Sequence, residues 1–91
     1  MTAYTATFSD GSTKSIANSK RDYAVAWRTV VQSRGLDHPT TFSGFSRDEQ
    51  TAWRAMRSER ACIVNVGRWS KSGGDVVSEE VVPVSRAETA Q

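Results

Sequence analysis

The chain has one cysteine and one histidine in 91 residues, and these two shortages exclude most site chemistry. A lone Cys62 can close neither a disulfide framework nor a thiolate metal cage within one chain. With His38 as the sole imidazole, the only Cys/His nucleophile pair available is Cys62 with His38, beside Asp37. Cys62 sits in an apolar, β-branched run, where a buried and inert thiol is the usual outcome, and His38 precedes Pro39 in a loop-like stretch. Glu79 and Glu80 are neighbours in an extended segment and so point to opposite faces, which removes them as a carboxylate pair. No catalytic, metal-ligating or cofactor-binding residue is expected, and the chain is read as a non-enzyme.

Long apolar runs are also missing. Nowhere do about 18 apolar residues follow one another, so no membrane helix is expected. The opening "MTAYTATFSDG" has neither a basic segment nor a continuous apolar one, and a reducing, cytoplasmic setting is the expectation. Hydrophobic content is low, at 37%, yet three Trp, three Phe and two Tyr carry large apolar area per residue. One small, aromatic-rich core follows, in a single domain over 1–85 with a frayed tail at 86–91.

Charge is nearly balanced: 12 Lys and Arg against 10 Asp and Glu give +2, well short of the dense basic field that holds many phosphates. The distribution is uneven. Residues 1–60 hold nine basic and six acidic side chains, and 61–91 hold three and four.

Tyr4, Ala6 and Phe8 alternate with Thr5 and Thr7, the pattern of a half-buried strand. Asp10-Gly11 then tolerates the positive φ of a tight turn, and the chain returns from about Thr13 to Ala17 with Ile16 as its apolar contact. In "NSKRDYAVAWRTVVQSRG" the period changes. Asn18 or Ser19 as cap, Tyr23, Trp27, Val30 and Val31 as one stripe, and Gly35 as terminator predict a helix over about Lys20 to Arg34. "LDHPTTFSGF" reads as a loop. Ser46 with Glu49 forms a capping box, stapled by Phe45, for a second helix over about Arg47 to Ser58, with Ala52, Trp53 and Met56 inward. A strand from about Cys62 to Trp69, the turn "KSGGD" and the extended "VVSEEVVPV" complete a second hairpin. The predicted class is α+β in the order β-β-α-α-β-β: two hairpins forming an antiparallel sheet, with two helices packed on one face.

"RDYAVAWRTV" and "RDEQTAWRAM" share R-D-x-x-x-A-W-R, which reads either as a duplicated unit or as two amphipathic helices solving the same packing problem. On helical wheels the Trp faces in and the paired Arg residues face out, which argues against a base-stacking platform of Trp beside Arg. The outward face, Arg21, Arg28, Arg47, Arg54 and Arg57, is the candidate partner-binding surface. Trp69 joins it if the second face of the sheet is open.

"FSDGSTKSIANSKRDYAVAW" resembles the opening of small accessory proteins encoded by bacteriophages of actinobacteria, and "EEVVPVSR" is similar to their closing strand. The resemblance covers about half the chain. It implies a protein acting in the host cytoplasm by binding a host or phage protein, and it assigns no functional residue. Two alternatives stand beside that expectation: a nucleic-acid-associated protein using the same Arg face, or a self-assembling module such as a homodimer.

Overall fold

The computed structural model describes residues 2–64 and 73–88, those at 62–64 and 88 by backbone only. The described residues form two three-stranded antiparallel sheets and one helix.

The first hairpin forms where the alternation places it. β1 (Thr2–Thr7) pairs with β2 (Thr13–Ser19), and Tyr4, Ala6 and Phe8 are all buried. Gly11 turns the chain at φ +89°. Its N–H donates to the Phe8 carbonyl at 2.9 Å, and the Asp10 carboxylate accepts from the Ser12 N–H and hydroxyl. An Asx side chain closing its own turn is the physical reason Asp-Gly marks such sites.

The predicted first helix is absent. Residues within Lys20 to Arg34 instead form β3 (Val25–Ser33), paired to β4 (Thr40–Ser46) on one side and β5 (Gly74–Pro83) on the other. Val25, Thr29, Val30 and Val31 are β-branched, and that preference prevails over an accidental helical spacing once two strands supply its hydrogen bonds. Gly35 does take a positive φ, +86°, but in the turn to β4, so "TTFSGFS" is a strand and not part of a loop.

The second helix exists as α1 (Glu49–Val64). Its cap is not Ser46. Asp48 accepts from the Thr51 N–H at 2.7 Å, while Ser46 ends β4 buried, its carbonyl bound by the Ala24 N–H. The helix continues through Cys62, Ile63 and Val64, where a strand was expected; the rest of that expected strand, including Trp69, lies outside the described residues. Among the described residues β5 pairs with β3. Pro83 ends β5, and the chain crosses to the other sheet, where β6 (Ser85–Glu88) pairs with β1. Arg86, Ala87 and Glu88, expected to fray, are therefore strand residues.

The result corrects the expected α+β sandwich of one sheet and two helices to a mostly β arrangement in three layers. The strand orders are β2-β1-β6 and β4-β3-β5. Trp27 packs with Ala52 and Met56 of α1, while Ala26, its neighbour, packs with Ala6 and Phe8 of the first sheet. Successive β residues face opposite ways, so β3 is buried on both sides and its sheet is the middle layer. A bulge opposite Val30 and Val31 leaves Val77 unpaired with β3 and 61% exposed. Bulges of this kind interrupt a flat edge.

Gly44 is required by this packing. A Cβ there would lie 2.7 Å from Trp27 Cζ2, inside any tolerable contact. Gly44→Ala is expected to destabilise the fold by about 1–3 kcal/mol through overpacking. A drop of several degrees in melting temperature checks this; an unchanged melt would show that the Trp27 ring does not lie across Gly44.

Candidate Arg-aromatic groove

Arg residues of the predicted surface have different fates, set by the layer each one meets. Arg28 is on the β3 face that meets the first sheet, and its side chain is only 14% exposed. One guanidinium nitrogen donates to Asp10 at 2.6 Å and to Ser12 Oγ at 2.9 Å. The other lies 3.2 Å from Glu80, and the group rests 5.1 Å from the Phe8 ring centroid. Its charge is thus consumed in joining the β1–β2 turn to the middle sheet. Arg28 is not part of an exposed partner surface, which corrects that expectation.

Glu79, facing the other way, accepts from the buried Thr29 hydroxyl at 2.8 Å and lies 3.2 Å from Arg60 of α1. The two adjacent glutamates therefore anchor opposite layers, and the predicted opposition of their side chains is what lets them do so.

Arg21 and Arg47 remain at the surface and are brought together. Pairing of Val25 with Ser46, and the Ala24 N–H to Ser46 carbonyl bond at 3.0 Å, set "RDY" beside "SRD". Ser19 Oγ holds the approach by accepting the Arg21 N–H and donating to the Arg21 carbonyl. Between the two segments lies an open groove of about 570 Å³ lined by Arg21, Asp22, Tyr23 and, across from them, Phe45, Ser46, Arg47 and Thr51.

The groove floor is aromatic. Tyr23 stands edge-on to Tyr4 at 5.5 Å between centroids and tilted against Phe45 at 5.6 Å. Such contacts fix ring positions more firmly than apolar burial alone. The Tyr4 hydroxyl lies 3.5 Å from Asp22 Oδ1, the outer limit of a hydrogen bond. Arg47 approaches Asp48 at 3.6 Å with both side chains largely exposed, a pairing of small energetic value. Asp48 is held below the ordinary carboxylate range, first by the Thr51 N–H, then by the Thr51 hydroxyl and, more weakly, by Arg47 and Arg54.

Arg54 and Arg57 are exposed on α1. Trp53, expected inward with Ala52 and Met56, is 40% exposed, and its indole N–H donates to Glu49 at 3.3 Å. Only Ala52 and Met56 of that trio face the sheet. The repeated R-D-x-x-x-A-W-R element is therefore a strand approach in one copy and a helix in the other. What the copies share in space is the groove, which Arg21 and Asp22 of one and Arg47 and Thr51 of the other line.

Sequence reasoning missed Tyr23 and Phe45 as groove residues, having assigned one to a core stripe and the other to a helix staple. A signal was present: each Arg-Asp pair has an aromatic residue within two positions. His38 is exposed in the β3–β4 connection. Among the described residues, no group of three or more His, Cys, Asp or Glu is placed to hold a metal ion, and no helix is long and apolar enough to cross a membrane. No family model, curated protein or solved structure matches the chain.

The Arg28 network carries a pH signature. Asp10 is held well below its ordinary value of 3.8, first by the Ser12 hydroxyl and then by Arg28. A carboxyl depressed in the folded state stabilises it above the unfolded value, and that contribution is lost as pH falls toward the folded one. Asp10→Asn is therefore expected to lower the melting temperature at pH 7, with the gap to wild type narrowing as pH drops below 3.8. A gap that is constant from pH 7 to pH 2 would show that the carboxylate contributes nothing through its ionisation.

Proposed function

We propose that this chain is a small non-enzymatic accessory protein, of the type encoded by actinobacterial phages, that binds a host or phage protein in the host cytoplasm. Its binding surface runs from Arg21 and Arg47 at the groove to Arg54 and Arg57 on α1. The observation that carries this reading is the division of the arginines. Arg28 and Arg60 are spent on ion pairs between layers, whereas Arg21, Arg54 and Arg57 have no carboxylate within ion-pair distance among the described residues, and Arg47 has only the exposed Asp48. Exposed guanidiniums beside an aromatic floor suit a carboxylate-rich protein surface, because Arg offers paired donors in a fixed plane and Tyr and Arg are enriched where interfaces bind tightly.

Nucleic acid is the second reading, and one observation favours it. Trp53 is exposed one helical turn from Arg57, the pairing of an aromatic face with positive charge that the helical wheel had argued against. The +2 net charge weighs the other way, since few phosphates can be neutralised.

Affinity capture from actinobacterial lysate, with nuclease and at two salt concentrations, separates the readings. A protein partner that survives nuclease, and whose binding weakens about tenfold or more in Arg21→Glu/Arg47→Glu, supports the proposal. Arg28→Met should lower the melting temperature instead, because it breaks a bridge between layers. Recovery of nucleic acid alone, removed steeply by salt, favours the second reading. Capture unaffected by charge reversal at all four surface arginines would refute the Arg surface altogether.

A further inference from the structure

We infer that the groove between "RDY" and the start of α1 seats an acidic peptide segment that presents one apolar, preferably aromatic, side chain next to its carboxylates; this rests on the protein-binding reading above.

The floor and the rim ask for different things from one ligand. Tyr23 and Phe45 are each half-buried and both line the groove, so each has ring surface left to cover. Only an apolar group gains from covering it. Arg21 and Arg47 come from separate connections, the approach to β3 and the step from β4 to α1, and line the same groove. A carboxylate in reach of either receives charge-assisted bonds, and of both, a clamp. An isolated small anion would leave the rings bare, and a purely apolar ligand would leave the guanidiniums unused.

Asp22 decides between polymers. It shares the groove lining with the two arginines, and Asp48 stands beside Arg47 just outside that lining. A nucleic-acid strand carries a phosphate at every nucleotide and would bring some of that charge against Asp22. A peptide main chain brings N–H donors, which Asp22 can accept. The volume, about 570 Å³, lies within the range of sites that bury a compact ligand, and Thr51 and Ser46 add polar contacts at the helix end.

The test is an amide-shift titration of the full ¹⁵N-labelled chain with a synthetic acidic peptide of Glu and Asp around one Phe, and with its Ala counterpart. Shifts at Arg21 to Tyr23, Phe45 to Arg47 and Thr51, with the Ala peptide bound roughly tenfold more weakly, are expected. Arg21→Gln/Arg47→Gln should abolish those shifts while the core amides stay in place, which separates lost binding from lost fold. Equal affinity for the two peptides, shifts confined to α1 around Arg54 and Arg57, or no shift at all overturns the groove assignment and leaves the broader Arg surface standing. A single-stranded oligonucleotide that shifts the groove amides when neither peptide does overturns both.

Discussion

The burial of β3 on both faces is the constraint on which the other elements depend. Ala26 and Trp27 are 0% and 6% exposed, and because neighbours on a strand point apart, each demands its own cover. The first sheet covers one and α1 covers the other. β3 also hydrogen-bonds on both edges, so the middle layer is specified by backbone pairing and by packing together. A strand used in this way cannot show a clean polar alternation, since it has no solvent side.

Charge is used on the same plan. Glu79 and Glu80 stand next to each other on β5 and serve different interfaces, one meeting Thr29 and Arg60, the other Arg28. A half-buried carboxylate is costly unless matched; Glu79 is matched by Arg60 of α1, the layer it faces, and Glu80 by Arg28 of its own sheet and the Ser9 N–H of the first. Arg28 with Asp10 and Arg60 with Glu79 link neighbouring layers, and they remove two arginines from the surface. The guanidiniums left over line the groove and the outer side of α1, so the partition between scaffold and binding surface follows from topology and not from residue type.

The misreading of residues 20–34 shows how local signals fail. Tyr23, Trp27, Val30 and Val31 lie at helical spacing, and Asn18, Ser19 and Gly35 punctuate the segment as caps would. Yet Trp27 and Val31 share one strand face while Val30 points to the other, so the residues counted as one stripe divide between two faces. The stronger cue was composition: β-branched Val25, Thr29, Val30 and Val31 within seven positions. The groove was legible only in part. Arg21 and Arg47 stand out by charge alone, whereas Tyr23 fits a helical core stripe and Phe45 a helix entry equally well until the strands are paired.

What could be read from the chain is what neighbours along it settle. The Asp10-Gly11 turn, the alternation of β1, the positive φ of Gly35 and the existence of a helix after Arg47 each need contacts across only a few residues. Strand pairing is different. β3 draws its hydrogen bonds from residues 40–46 and 74–83, and β1 draws some of its own from 85–88. Those partners decide whether residues 25–33 are helix or strand, whether Arg28 is exposed or locked between layers, and whether Arg21 and Arg47 line one groove. The closure of such long loops is favoured only by the packing it makes possible, and that packing exists once the layers have come together.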